Sequence, residues 1–168
     1  MNFKNINKNI AKYLSASTNG FSPIQKANYN HSLSWKKQSK QLLSTKDLSD
    51  FKKAIRWCGV AGNVARTVKK ERQEEFAKIL FSHLDEINNG TFMSWNNLDI
   101  GKPVSWISKI CHIINPHMYP IIYDIEIRNK LGIRNLDEYF HFIEVLRSRV
   151  KSIKADDIYK LDSIIWAE

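Results

Sequence analysis

Apolar residues recur at every third or fourth position along most of this 168-residue chain. That is the period of a helix burying one face, not of a half-buried strand. Leu48, Phe51, Ile55 and Cys58 form one such row, after which Gly59 and Gly62 break or tighten the helix. Val64, Val68, Phe76, Ile79, Leu80, Leu84 and Ile87 form a longer row that Gly90 ends. Ile107, Ile110, Cys111, Ile113 and Ile114 follow Ser105, and Asn115-Pro116 closes that run. Ile125 to Leu131 reads as a helix stopped by Gly132. Leu136, Tyr139, Phe140, Ile143, Val145 and Leu146 predict another. Asp156 or Asp157 starts the last, which carries Ile158, Leu161, Ile164, Ile165 and Trp166. Near the other end, Ser22-Pro23 is a helix-start signal for a segment reaching Leu43, and Ser44 or Thr45 caps the next helix. Ile6, Ile10, Tyr13 and Leu14 suit a short amphipathic helix. Tyr119 to Asp124 is extended and strand-like, but no second segment offers to pair with it. Seven or eight helices without a convincing sheet predict an all-α domain.

The length suits one domain over residues 1–168, with a basic region at 1–43 and a core at 44–168. A chain of this size buries about two-thirds of its unfolded surface and folds without metal or disulfide. The hydrophobic fraction of 43% excludes a disordered chain. No apolar run approaches the roughly 18 residues of a membrane span. Two cysteines, Cys58 and Cys111, build neither a disulfide framework nor a four-cysteine cluster. With no apolar secretory core near the start, the expectation is a cytoplasmic protein away from membranes. No spacing of His, Cys, Asp and Glu suggests zinc, and no glycine-rich loop suggests a nucleotide, so neither metal nor cofactor is expected.

Charge narrows the partner. Residues 1–90 carry 16 basic and 7 acidic groups, whereas residues 91–168 carry 10 of each. Eight lysines precede the first acid, Asp47. A one-signed field of this kind attracts polyanions, of which nucleic acid is the usual one. The competing explanation is a composition rich in Lys, Asn and Ile.

One stretch carries chemistry, within residues 95–132. Lys109 lies in a helix whose other faces are apolar, on a polar stripe with Ser105, Ser108 and His112. Asp124 follows 15 residues later, just ahead of the next helix. Either the two form a site, or Asp124 is a helix cap and Lys109 a solvated lysine. His112 either contacts a ligand or bonds a nearby carbonyl. Arg128 either meets a phosphate or pairs with Glu126 or Glu144. Trp57, Trp95, Trp106 and Tyr123 either stack on a base or fill the core, and Tyr123 is the best functional candidate because it adjoins Asp124. Cys111 sits among isoleucines and reads as core.

These residues resemble the catalytic core of the helix-hairpin-helix DNA glycosylases, the superfamily of endonuclease III and the 8-oxoguanine DNA glycosylases. Ser108-Lys109, His112 and Pro116, then Tyr119-Pro120-Ile121-Ile122-Tyr123-Asp124, then Ile127-Arg128 and Leu131-Gly132, follow that pattern. They look most like the compact bacterial proteins with an 8-oxoguanine-glycosylase fold, and Leu161-Asp162 with Trp166 resembles that family's terminal helix. The resemblance covers residues 95–168. The family's hairpin turn, Gly-x-Gly, is reduced here to Gly101, with Lys102 beside it as a point charge for phosphate.

The resemblance implies a monomer that acts on double-stranded DNA. A base would be flipped from the duplex into a pocket. Asp124 would stabilise positive charge on the sugar as the base departs. Lys109 would attack the sugar as a free amine, a state that burial favours, and nick the strand through a Schiff base. Gly101, Lys102, Ser105, His112, Tyr123 and Arg128 would contact DNA. The competing functions are an inactive nucleic-acid-binding module on the same scaffold and a metal nuclease using Asp124 and Glu126. Residues two apart do not share a helical face, which disfavours the nuclease.

Overall fold

The computed structural model describes residues 12, 18–44, 46–61, 70–93, 95 and 104–167, and the side chains of 57–61, 70 and 71 lie outside that description. Among the described residues the chain is all-α. Eight helices follow a short 3-10 turn at Thr18–Gly20: α1 Pro23–Leu43, α2 Leu48–Ala61, α3 Lys70–Ser82, α4 Leu84–Asn89, α5 Val104–Ile114, α6 Ile125–Leu131, α7 Leu136–Val150 and α8 Ala155–Ala167. No described residue lies in a strand. No described helix is long and apolar enough to cross a membrane.

The start of α1 is where the sequence places it. Ser22 Oγ accepts from Gln25 N–H at 3.3 Å, and Gln25 Oε1 accepts from Ser22 N–H at 2.9 Å. This reciprocal box satisfies two of the donors that a helix start leaves unpaired. The next start differs from expectation. Asp47 Oδ1 accepts from Ser49 N–H and Asp50 N–H, so Asp47 caps α2. Ser44 instead terminates α1, its N–H bonding Lys40 O, and Thr45 lies outside the described residues. A carboxylate there gains from the positive end of the helix dipole, which a serine does not.

The long helix expected up to Gly90 is two. His83 leaves helical geometry at φ −100° and ψ 14°, and divides α3 from α4. The apolar row passes through the break because Phe76, Leu80 and Ile87 still reach one core. Val64 and Val68, Gly62 and the segment with Ile6, Ile10, Tyr13 and Leu14 lie outside the described residues. Gly90 and Gly132 end α4 and α6 in the left-handed conformation, at φ 73° and 72°.

Helix α5 is the axis of the molecule. Trp106, Ile107, Ser108, Lys109, Ile110, Cys111, His112 and Ile113 are all buried. A helix covered on every side has neighbours all round, and here α1, α2 and α4 pack against it. α8 in turn lies on α1 and α6. Trp95 is wholly buried against Tyr119, Tyr139 and Phe140. Trp106 sits on Phe76, with ring centres 5.3 Å apart. Both tryptophans are core, not base-stacking surface, and the Trp57 side chain is outside the description.

The two capping glycines separate backbone strain from packing. Gly132→Ala meets no neighbour within 4 Å, whereas a Cβ on Gly90 would stand 2.8 Å from Met118 Sδ. The left-handed conformation alone costs about 1–2 kcal/mol for a residue with a side chain. Gly132→Ala is therefore expected to lower unfolding stability by about 1 kcal/mol, and Gly90→Ala by more because Met118 must also move. Urea denaturation of both variants checks this. Equal losses would show that Met118 yields without cost.

Candidate active site

The strand-like segment between α5 and α6 has no partner strand among the described residues, and Tyr119, Pro120, Ile121 and Ile122 are buried. Buried backbone groups need hydrogen bonds. Side chains from three helices provide them. Arg147 Nε, on α7, donates to Met118 O at 2.8 Å. His112 Nδ1 donates to Tyr119 O at 2.7 Å, and Tyr139 Oη to Ile121 O at 2.7 Å. Ile122 N–H donates to Asp162 Oδ1 at 2.8 Å, and Tyr123 N–H to Ser108 Oγ at 2.9 Å. The strap so held delivers Asp124 to the start of α6.

Asp124 uses its two oxygens differently. Oδ1 accepts from Glu126 N–H at 3.1 Å and caps the helix. Oδ2 stands 3.8 Å from Lys109 Nζ. The cap and the lysine partner are thus both true of one carboxylate. Lys109 is only 7% exposed, so it is no solvated surface lysine. An amine shielded from water beside one carboxylate, itself partly open to solvent, can attack an electrophile that reaches it from the surface. The carboxylate can stabilise positive charge arising there.

The other expected residues divide. Tyr123 is partly buried, with its ring edge on Tyr139 at 5.1 Å. Arg128 lies over the Tyr123 ring at 4.4 Å, and its Nη1 donates to Tyr123 Oη at 3.2 Å. Arg128 therefore stacks beside Asp124, and neither Glu126 nor Glu144 is its partner in these contacts. Ser105 is partly buried and its carbonyl accepts from Ser108 Oγ. Gly101 and Lys102 lie outside the described residues. His112 takes the second of its two alternatives: the ring is wholly buried, and the carbonyl it bonds belongs to Tyr119. In this structure the side chain holds the strap and presents no surface to a ligand. Cys111 is core as expected, and burial pushes its thiol up.

Lys36 and Asp162 form a second pair that the sequence reading passed over. Lys36 Nζ contacts Asp162 Oδ2, and also Ser163 Oγ at 2.9 Å and Tyr159 O at 3.4 Å. Neither residue has more than 1% of its surface exposed. Burial raises the Asp162 carboxyl, but the Lys36 charge, the neighbouring His112 and hydrogen bonds from Lys36 and Ile122 outweigh it and hold the group below the usual carboxylate range. Burial lowers the Lys36 amine; Asp162 opposes this, and the charge of Lys109 adds to it. One of the eight early lysines is therefore internal, and the outward basic field is weaker by that charge. A signal was present. Ser32, Trp35, Lys36, Ser39 and Leu43 share the buried face of α1, at helical spacing.

Among the described residues no three His, Cys, Asp or Glu side chains gather as a metal site. A cavity of about 390 Å³ opens between Lys40, Leu43, Phe81, Leu84 and Ile113, and neither Lys109 nor Asp124 lines it. Compared with known proteins, the chain matches no family model and shows no significant similarity to a curated protein or a solved structure.

His112 makes the strap sensitive to acid. Burial drives its pKa down to about 4; Asp162 opposes, Lys36 adds, and the Tyr119 carbonyl opposes. An unfolded histidine binds its proton near pH 6.5. Between those values the unfolded chain holds more protons, so stability is complete above about pH 6.5 and falls toward pH 4. The loss from this group is about 3 kcal/mol. Urea denaturation at pH 7 and pH 4.5 is expected to show it, and His112→Gln is expected to flatten it. The same loss in His112→Gln would place the acid sensitivity elsewhere.

Proposed function

We propose that this protein is a DNA N-glycosylase with abasic-site lyase activity, built on a helix-hairpin-helix glycosylase scaffold. The carrying observation is the buried Lys109 Nζ 3.8 Å from Asp124 Oδ2. The all-α architecture and the excess of basic groups in residues 1–90 agree with this reading.

The chemistry follows from the two groups. A flipped nucleotide enters with its sugar toward Asp124. The bond from the sugar anomeric carbon to the base lengthens, positive charge grows on the sugar, and the carboxylate offsets it. The Lys109 amine, as the free base, attacks that carbon as the base leaves with the bonding electron pair and takes up a proton. Ring opening gives a protonated Schiff base between Lys109 and the sugar. Removal of a proton from the adjacent sugar carbon then expels the 3′ phosphate and nicks the strand. Arg128, held over Tyr123 one turn from Asp124, is a cation set to meet a DNA phosphate.

Borohydride trapping tests this reading. Duplex oligonucleotides carrying an abasic site, 8-oxoguanine, uracil or a modified cytosine are incubated with the protein and reduced. The expected result is a covalent protein–DNA band that Lys109→Gln abolishes. Asp124→Asn is expected to slow base release by about 100-fold or more while sparing DNA binding. The substrate with the strongest band identifies the base. Retained DNA binding with no band on any substrate, abasic DNA included, would overturn the lyase and favour an inactive binding module on the same scaffold.

A further inference from the structure

We propose that Lys36 and Asp162 are a positioning pair that sets where Asp124 stands relative to Lys109. The inference rests on the Schiff-base reading above. Asp162, on α8, has each oxygen committed to a different element. Oδ1 takes the Ile122 N–H at 2.8 Å, two residues before Asp124. Oδ2 takes Lys36 Nζ, from α1. Lys36 in turn donates to Ser163 Oγ and Tyr159 O. Ser163 Oγ donates to Tyr159 O at 2.8 Å. With its single proton so used, Ser163 Oγ must accept the bond from Ser32 Oγ at 3.0 Å.

Two helices are thereby joined through buried polar groups to the one segment that carries the carboxylate. On the other side of the strap, Ser108 Oγ holds Tyr123 N–H from the turn of α5 that also bears Lys109. The nucleophile and the carboxylate are thus referred to each other through the strap. Its anchor on the α8 side is Asp162, and that anchor keeps its orientation because Lys36 holds the second carboxylate oxygen.

A pair that only held the fold together could be exchanged for apolar side chains without a change in chemistry, because such exchanges are often tolerated when both charges go. A positioning pair could not. A displacement of about 1 Å in a reacting group costs on the order of 100-fold in rate. Neither residue is exposed, so DNA affinity belongs to other groups.

Two double variants separate these roles, each removing both charges so that no buried ion is stranded. Lys36→Met with Asp162→Leu deletes the acceptor for Ile122 N–H. Lys36→Met with Asp162→Asn keeps an amide oxygen there. Single-turnover trapping on an abasic duplex, affinity for a tetrahydrofuran-containing duplex, and amide hydrogen exchange at Ile122 are measured for both and for the parent. The leucine variant is expected to bind within about twofold of the parent but to trap about 100-fold more slowly, with Ile122 exchange accelerated. The asparagine variant keeps the acceptor but loses the Lys36 contact. It is expected to trap at a rate between the leucine variant and the parent, with Ile122 partly protected. Full recovery of the parental rate would remove Lys36 from the pair. A leucine variant trapping at the parental rate would overturn the inference while leaving the lyase intact. Ile122 exchange unchanged in the leucine variant would overturn the anchoring itself. A parent without any adduct would overturn the lyase reading, and with it the catalytic part of this inference.

Discussion

The site depends on how one buried, extended segment satisfies its backbone. Residues 118–123 belong to neither a helix nor a sheet, yet most of them are inside. Water is excluded there, and each unpaired amide or carbonyl left buried costs about 1–3 kcal/mol. Arg147, His112, Tyr139, Asp162 and Ser108 each take one of these groups. Their helices must therefore sit where those side chains reach. The same demand places Asp124 at the strap's end and Lys109 one residue from an anchor.

This arrangement explains the unusual polar content of the interior. Ser32, Lys36, Ser39, Ser108, Lys109, His112, Asp162 and Ser163 are buried among the apolar residues of the helical core. Buried polar groups are tolerated when they satisfy one another and become liabilities when one is removed. Here they connect α1, α5, α8 and the strap. Two lysine–carboxylate pairs result. Lys36–Asp162 is internal, and Lys109–Asp124 lies toward the surface. The outer pair is partly open to solvent on the Asp124 side. The inner one is closed and holds the outer in place.

Helix positions were widely legible in the sequence because they rest on local chemistry. Ser22-Pro23 starts α1, and Gly90 and Gly132 end α4 and α6, as their residue types require. The bounds of α6 follow from Asp124 and Gly132 alone. The interruption at His83 was not legible, since the apolar row runs through it unbroken. The start of α2 moved from Ser44 or Thr45 to Asp47 because both serine and aspartate cap well, and the helix dipole favours the charged one. A joint role for Lys109 and Asp124 was implied by the glycosylase resemblance, while their order along the chain left a helix cap and a solvated lysine open; the structure brings the two to 3.8 Å.

What the sequence determined by itself is therefore the all-α class and most helix limits, because periodicity and capping act within a few residues. Only the tertiary structure decided the rest. It turned His112 inward, stacked Arg128 on Tyr123 and took Lys36 out of the surface field to meet Asp162. Those outcomes hinge on which distant groups arrive at the same place. Lys36 and Asp162 are 126 positions apart, and no local rule links them. The link is the cost of leaving a buried charge unpaired, which arises only when the helices close around the strap.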